Sequence, residues 1–301
     1  MTTQPHLVIL DMGAKQVFTT DENGKKLAVL REGLDRVPDG IVVSPDARHI
    51  YFTQMGKPNF ETQSAMDFDG SIWRMTMEGS DLTQLVGDGQ IRTPKQITAD
   101  WSAGKLYWCD REGLRVMRCN LDGSDVETLV QTGKVPQDET DQTRWCVGIA
   151  VDPVRRQFYW TQKGSPDGGK GRIFRAGYDL PKGESPDTRA DIEVLFSGLP
   201  EPIDLELTAR HLYWTDRGDL PGGNSVCRAA IDDNGAIAKE WQVLATGLGE
   251  AIGLVVDHAG KRIYATSLGG KLFRMGLDGA NLEVIGTFTA LTGLMQVPKP
   301  A

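Results

Sequence analysis

The feature that most constrains the fold of this chain is a five-residue phrase that recurs at intervals of about fifty residues. Clear copies, with the pattern aromatic or leucine, Tyr, Trp, a small residue and Asp or Gln, occupy 106–110, 158–162 and 212–216. Weaker copies occupy 50–54 and 263–267. A fixed period of this length is typical of repeat architectures, in which each copy is one supersecondary unit. The fold should therefore follow from the structure of one copy.

Each copy contains four short runs of β-branched or aromatic residues, separated by turns rich in Gly, Asp and Pro. In one copy the phrase follows an apolar run at 97–99 and precedes runs at 116–119 and 127–130. Such runs predict four antiparallel strands joined by hairpins. No stretch keeps a 3.6-residue apolar period for long enough to predict a substantial helix. Four strands per unit in a radial array predict an all-β propeller.

The two ends of the chain predict how the propeller closes. Residues 7–30 contain a second, a third and a fourth strand but no first strand, whereas residues 291–297 contain an isolated first strand. Pairing them completes a blade and removes an exposed sheet edge. We therefore expect a six-bladed β-propeller with four-stranded blades, formed as a single domain by residues 1–301.

The phrase and its flanks resemble the YWTD repeat of low-density-lipoprotein-receptor-type six-bladed propellers, over roughly residues 5–297. The resemblance implies the same fold, but it leaves the function open because a fold hosts many functions. Propellers of this kind include receptor modules and binders of signalling ligands. Related six-bladed families include lactonases and strictosidine-synthase-like enzymes.

Composition limits the partners and the compartment. The net charge of −8 and a pI near 5.1 argue against nucleic acid, which needs a basic face. No apolar stretch reaches membrane-spanning length, and the start of the chain has no signal-peptide pattern. The four cysteines lack paired spacing, so we expect reduced thiols and a cytoplasmic protein; they are Cys109, Cys119, Cys146 and Cys227. The oligomeric state is left open.

Long insertions predict which face of the propeller carries function. Loops after the second and fourth strands of a blade emerge on one face of the propeller, and long loops on one face of a rigid scaffold often carry function. The long insertions that follow these strands span 55–70, 131–145, 163–171 and 217–224. The first strands enter the channel from this face. Four of their six aligned entry positions are glycine, whereas Gln96 and Asp204 occupy the other two. Burying an amide and a carboxylate there is unfavourable unless they have partners.

The mouth of the channel is therefore the predicted site. It is expected to contain a set of polar and aromatic side chains, and the set comprises Asp39, Lys95, Gln96, Arg144, Trp145, Glu201, Asp204, Arg217 and Glu250. We expect Asp204 to act as general base, because burial raises a carboxyl pKa toward neutrality. Glu201 or Glu250 would be its acid partner, Trp145 would stack on the substrate, and the remaining residues would bind it. Alternatively, the same groups form a solvated ion-pair network.

A divalent metal at this mouth is implied only by the lactonase resemblance. Those propellers hold the ion with Glu, Asn and Asp ligands, and Glu201, Asp204 and Asp39 offer oxygen donors here. Asparagine is missing from the expected positions, so no cofactor is assigned. A Ser-His-Asp triad is not expected, because His49, His211 and His258 fall near turns on the opposite face.

Two functions follow as alternatives. The first is a soluble intracellular enzyme that acts on a small molecule by carboxylate acid–base chemistry, such as lactone hydrolysis or a lyase or isomerase reaction. The second is a non-enzymatic propeller scaffold that binds a protein or peptide on the same face. An enclosed pocket would favour the enzyme, and a flat apolar face would favour the scaffold.

Overall fold

The computed structural model describes residues 4, 6–59, 64–65 and 67–298, and these residues form an all-β ring of six four-stranded antiparallel blades. In blades 1 to 3 the strands are β1 (Leu7–Asp11), β2 (Gln16–Thr20), β3 (Lys26–Arg31) with β26 (Leu291–Gln296); β4 (Val37–Val43), β5 (His49–Met55), β8 (Ser71–Thr76), β9 (Thr83–Val86); and β10 (Pro94–Asp100), β11 (Lys105–Asp110), β12 (Arg115–Asn120), β13 (Glu127–Gln131).

Blades 4 to 6 repeat this order. Their strands are β14 (Cys146–Asp152), β15 (Gln157–Gln162), β16 (Gly171–Gly177), β17 (Glu193–Leu199); β18 (Pro202–Leu207), β19 (His211–Asp216), β20 (Ser225–Ile231), β21 (Ile237–Thr246); and β22 (Ala251–Asp257), β23 (Arg262–Ser267), β24 (Lys271–Gly276), β25 (Glu283–Thr287). Two small elements were not expected from the sequence. They are a two-strand ladder of β6 (Pro58–Asn59) with β7 (Ser64–Ala65), and a 3₁₀ turn at Gln142–Arg144.

The predicted closure is confirmed. Strand β26 is the innermost strand of blade 1 and pairs antiparallel with β1, with Leu7 opposite Gln296 and Asp11 opposite Leu291. The first strand of the chain thus has neighbours on both sides. Because the two ends of the chain share one sheet, β26 covers the edge that β1 would otherwise expose, and blade 1 gains its fourth strand.

In four of the six blades, the threonine of the phrase fastens the blade to the next one. Each inner strand has a bulge where it enters the channel, which leaves a backbone N–H outside the ladder. In blade 4 the Gly148 N–H donates to Thr161 Oγ1 at 2.7 Å, and the Thr161 hydroxyl donates to the Ile203 carbonyl of blade 5 at 2.9 Å. The same bridge recurs at Thr53, Thr215 and Thr266.

The six aligned entry positions are called the glycine column from here on; they are Gly293, Gly40, Gln96, Gly148, Asp204 and Gly253. This column marks where neighbouring inner strands come closest. A Cβ atom on Gly148 would lie 2.0 Å from the Ile203 carbonyl oxygen, and one on Gly40 would lie 2.5 Å from the Lys95 carbonyl oxygen. Only glycine permits these backbone approaches without a shift of the next blade. The expectation of tight packing near the axis is therefore correct.

Other recurring residues also serve the fold. The phrase tyrosines and tryptophans of blades 3 to 5 are almost fully buried between blades. The repeated outer arginines join blades: the Arg118 guanidinium lies 2.6 Å from Glu127 and donates to the Tyr178 carbonyl at 3.0 Å. All four cysteines are free and buried. Within the described part of the chain, no helix is both long and apolar enough to span a membrane.

Candidate functional site

The channel mouth has a polar half and an apolar half. One residue from each inner strand, the residue just before the glycine column, lines it; in blade order these are Thr292, Asp39, Lys95, Val147, Ile203 and Ile252. All six are buried. The three apolar members pack together with Leu268 as one cluster in blades 4 to 6. The polar members all come from blades 1 to 3, so the mouth is chemically asymmetric.

A column of cations lies directly beside this mouth. The residue that follows the phrase donates its backbone N–H to the segment that enters the inner strand: Arg111 to Thr93, Lys163 to Trp145 and Arg217 to Glu201. These three cations occupy consecutive blades, 3 to 5. Sequence reasoning named Arg217 but missed Arg111 and Lys163. The sequence does contain a signal for these two residues. The same repeat position holds the uncharged residues Met12, Met55 and Leu268 in the other three copies, so a cation there departs from the repeat.

Carboxylates hold these cations in a buried network. Glu201 accepts from Lys163 Nζ at 2.6 Å and from Arg217 Nη2 at 2.8 Å. Arg111 is paired with Glu112 at 2.6 Å. On the polar half of the mouth, the Asp39 carboxylate accepts from Lys95 Nζ and, at 3.4 Å, from Gln96 Nε2.

Among the described residues, ion pairs join four cations, Lys95, Arg111, Lys163 and Arg217, to three carboxylates. The neighbouring Asp216 carboxyl, whose pKa burial raises to about 7, takes no part in these ion pairs. Burial lowers the pKa of Lys163 to about 8, and the Arg217 charge acts in the same direction. Burial also lowers the pKa of Lys95, although the neighbouring Asp39 carboxylate opposes the change. A cluster with surplus positive charge in a buried setting is suited to an additional negative group.

The Trp145 ring supports the cations. It is only 4% exposed, and its Nε1–H donates to the Glu139 carbonyl at 2.7 Å. The Arg111 guanidinium lies 4.7 Å and the Lys163 ammonium 5.3 Å from the ring centroid. Trp145 therefore stabilises two network cations by cation–π contacts. Its role in stacking on a substrate stays a prediction.

Asp204 enters the glycine column as predicted, but its carboxylate is not unpaired. It accepts from the Leu205 N–H at 2.9 Å and from the Leu254 N–H of blade 6 at 3.0 Å. Burial nevertheless raises the pKa of Asp204 to about 7, and the Asp39 charge adds to the rise. The group therefore changes protonation near neutral pH. At this position the Asp204 side chain, rather than a direct backbone contact, connects blade 5 to the inner strand of blade 6.

Glu206 lies two residues further along the same strand. Burial raises its pKa to about 8, and the Asp204 charge contributes. The side chain is half-buried. Asp204 and Glu206 thus form a pair of carboxyl groups that titrate one after the other between neutral and mildly basic pH.

Two predicted site residues stand apart from the network. Glu250 is exposed and adopts a left-handed backbone with φ of 61°. Its carbonyl accepts the Leu268 N–H, as the Glu201 carbonyl accepts the Arg217 N–H, so it occupies the equivalent place in blade 6. Arg144 ends the 3₁₀ turn, and it lines a cavity between blades 3 and 4. The roles of Glu250 as acid partner and of Arg144 as substrate ligand stay predictions.

The oxygen donors at the mouth do not suit a divalent metal. Asp39 binds Lys95 and Gln96, Glu201 binds two cations, and the Asp204 carboxylate accepts two backbone N–H groups. In the described ranges no group of three or more His, Cys, Asp or Glu side chains could hold a metal ion. Cations occupy the positions that an ion would need.

Comparison with known proteins places this architecture. No protein-family model matches the chain. It is 42% identical over 306 aligned positions to low-density lipoprotein receptor-related protein 1 of Pyricularia oryzae, covering 95% of this chain and 96% of that one. It is 37% identical to 3-hydroxyacyl-CoA dehydrogenase-like protein LAM1 of Cochliobolus heterostrophus, covering 93% of this chain and 62% of that one.

Solved structures agree on the fold. A chain of the nidogen–laminin complex matches with a TM-score of 0.70 over 98% of both chains, at 20% identity. Identity at this level supports the fold alone. The full-length sequence match, the recurring phrase and the six closed blades together are decisive: the chain belongs to the family of low-density-lipoprotein-receptor-related YWTD propellers.

Proposed function

We propose that this propeller is an enzyme that hydrolyses a small lactone at the channel mouth by carboxyl acid–base chemistry and binds the product carboxylate there. The observation that supports the proposal is the surplus of positive charge in the buried network of Lys95, Arg111, Lys163 and Arg217. A purely structural network would be expected to balance its charges, because an unbalanced buried charge is costly. A ligand carboxylate would restore the balance.

Arg217 and Arg111 are the cations proposed to meet the ligand. Their side chains are 23% and 16% exposed, whereas Lys163 is 3% exposed. The Arg217 Nε–H is buried and has no hydrogen-bond partner among the described residues. The apolar half of the mouth, formed by Val147, Ile203 and Ile252, would accept the hydrocarbon part of the ligand.

The proposed reaction is hydrolysis of a lactone. Ionised Asp204 would take a proton from water as the water oxygen bonds to the carbonyl carbon. The protonated Asp204 would return that proton to the ring oxygen as the carbon–oxygen bond breaks. A group with a pKa near 7 suits both steps. The cations would stabilise the negative charge on the carbonyl oxygen and then bind the product carboxylate. In a lyase or isomerase reaction, ionised Asp204 would instead take a proton from a substrate carbon and return it to the leaving group or to another carbon.

The relatives support this proposal only in part. The LAM1 relative has an enzyme-like name, but 38% of its length lies outside the match, so the name does not assign hydride transfer to the propeller. The shared part is the propeller with its channel. We therefore propose acid–base chemistry from this chain's own carboxyl groups.

The test uses δ-valerolactone as substrate and its hydrolysis product, 5-hydroxypentanoate, as ligand. Calorimetry should detect binding of the product, and Arg217→Gln should weaken it about tenfold or more. Asp204→Asn should lower the lactonase rate by about two to four orders of magnitude. Arg118→Gln, an outer arginine, is the matched control and should leave both unchanged. If γ- and δ-lactones are not hydrolysed and carboxylates do not bind, the proposal fails.

A second candidate function is protein binding on the same face. Phe68 is 42% exposed there and separates two depressions of about 410 and 260 Å³. The relatives named for receptors, and the nidogen–laminin complex, favour this alternative. Phe68→Ala should then abolish capture of a partner without changing lactone hydrolysis, whereas Arg217→Gln should do the reverse.

We also propose a cytoplasmic location. Four buried free thiols suit a reducing compartment. A thiol count on protein isolated under denaturing, non-reducing conditions should find four, and the recovery of a disulfide would contradict this location.

A further inference from the structure

A cavity of about 340 Å³ lies between blades 3 and 4, outside the channel. It is bounded by β13, by the loop that follows β13, by β15 and β16 of blade 4, and by Ile192 just before β17. Arg144, which the sequence placed at the channel mouth, lines this cavity instead. The proposed channel chemistry uses none of its lining residues.

The cavity exists because a phrase aspartate is replaced by glutamine. In blade 3 Asp110 accepts the Thr93 N–H at 2.7 Å, and in blade 5 Asp216 accepts the Glu201 N–H at 2.9 Å, so each aspartate holds the preceding loop against its blade. In blade 4 this place belongs to Gln162, whose Oε1 accepts from Arg172 at 2.6 Å. The loop at 132–145 is thus held away from the sheet by the arginine.

Blade 2 shows that glutamine alone does not open the space. Gln54 occupies the same repeat position, and its Oε1 accepts the Arg36 N–H at 3.0 Å, as the aspartates do. The residue paired with Gln54 across the ladder is Ser71, whereas the residue paired with Gln162 is Arg172. Arg172 therefore diverts Gln162 from the loop, and its guanidinium occupies one side of the resulting cavity.

The edges of two buried aromatic rings line the floor of the cavity. The rings of Trp160 and Phe174 stack with centroids 5.0 Å apart and an interplanar angle of 11°, and they are 1% and 6% exposed. The Arg172 guanidinium lies over Phe174, with its Cζ 5.0 Å from the ring centroid. Val130 and Ile192 add aliphatic surface. Ring edges favour contact with the face of an aromatic ligand.

The polar wall carries more positive than negative charge. Arg144 is paired with Asp141 at 3.0 Å, but Arg172 has no carboxylate partner in the described part of the chain. Burial lowers the pKa of Arg172, and the nearby Arg144 charge contributes, while the Asp141 charge opposes it. Arg172 Nη2 donates to the Thr143 carbonyl at 2.7 Å, and its Nε and Nη1 make no hydrogen bond to the described residues. These free donors suit a carboxylate.

We propose that this cavity binds a small aromatic carboxylate, with its ring against Trp160 and Phe174 and its carboxylate on Arg172. The volume matches the lower end of small-molecule sites, which suits a ligand of one or two rings. The site is separate from the channel mouth. Its occupancy would join the 132–145 loop to blade 4 and thereby influence the face on which the channel opens.

The test uses 2-naphthoate as the probe, measured by calorimetry on the full chain. Saturable one-to-one binding is expected. Arg172→Gln should weaken it about tenfold or more, because a charge-assisted hydrogen bond is lost. Ile192→Phe should fill the cavity and abolish binding without removing a charge. Arg217→Gln, at the channel mouth, is the matched control and should leave the affinity unchanged.

Two further probes separate the contributions of the ring and the charge. Cyclohexanecarboxylate should bind more weakly than 2-naphthoate, and 2-naphthalenemethanol, which lacks the charge, should not bind detectably. The proposal is overturned if 2-naphthoate does not bind up to about 5 mM, or if Ile192→Phe binds it as the original chain does. It is equally overturned if Arg217→Gln, and not Ile192→Phe, removes binding, since the probe would then occupy the channel mouth.

Discussion

Two sets of cations occupy fixed places in the repeat, yet their surroundings differ. The outer arginines Arg118, Arg175, Arg228 and Arg274 all donate to a backbone carbonyl of the following blade, at 2.7 to 3.0 Å. Each has its own local partner on the neighbouring fourth strand. The inner cations Arg111, Lys163 and Arg217 instead converge on shared groups, the Glu201 carboxylate and the Trp145 ring.

The difference teaches how to separate structural from functional charge in a repeat protein. A cation that repeats the same contact in each blade stabilises the ring, and its neighbours are equivalent by symmetry. A cation that appears in only some blades and shares its partners with others breaks the symmetry. Symmetry breaking at the axis concentrates charge at one place, which a fold-supporting residue does not require.

The largest expected effect on stability is at the glycine column, where only blades 3 and 5 have a side chain, at Gln96 and Asp204. Gly148→Ala should lower the free energy of unfolding by about 3 kcal/mol, because its Cβ would lie 2.0 Å from the Ile203 carbonyl oxygen. Gln96→Ala, at the same column in blade 3, is the control and should cost about 1 kcal/mol or less. Urea unfolding measures both. Equal losses would show that the column imposes no common packing constraint.

The next test concerns the pH dependence of stability. The pKa of Glu206 rises from 4.5 to about 8 on folding, so its favourable contribution is complete below the unfolded value and is lost as pH rises through 8. A rise from 4.5 to about 8 corresponds to about 4 kcal/mol between pH 5 and pH 9, and solvent at the half-buried side chain should reduce the loss to about 2 kcal/mol compared with Glu206→Gln. Thermal melts across this range measure the difference. Parallel curves would show that channel water already solvates the carboxylate.

The fold was largely predictable from the sequence because the repeat carries it. Spacing, turn residues and alternation are local properties, and each blade repeats them, so the blade count and the closing pair of β26 with β1 followed directly. Asp204 and Gln96 were found for the same reason, as interruptions of a column.

The rest of the site depends on how loops fold back over the mouth. Trp145 and Glu201 come from the segments that enter blades 4 and 5, and their partners Lys163 and Arg217 come from the loops after the phrase. Arg144 has the same sequence character but lines a cavity between blades 3 and 4, and Glu250, at the blade 6 position equivalent to Glu201, is exposed. The partners of Asp204 are backbone N–H groups, one of them from another blade, which no side-chain pattern reveals.

The smallest expected effects come from a comparison of one cation from each set, Arg118 and Arg217. Arg118→Gln removes an ion pair with Glu127 and a hydrogen bond to the Tyr178 carbonyl, both on a half-buried surface. It should lower the free energy of unfolding by about 1 kcal/mol and leave 5-hydroxypentanoate affinity unchanged.

Arg217→Gln should show the reverse pattern. Glu201 keeps its pair with Lys163 at 2.6 Å, and the removed charge belongs to a network with surplus cations, so stability should change by no more than about 0.5 kcal/mol. Affinity for the anion should fall, because the most exposed of the network cations is lost. If both variants lose stability equally and neither affects binding, the inner cations fasten blades just as the outer arginines do, and the distinction between the two sets is wrong.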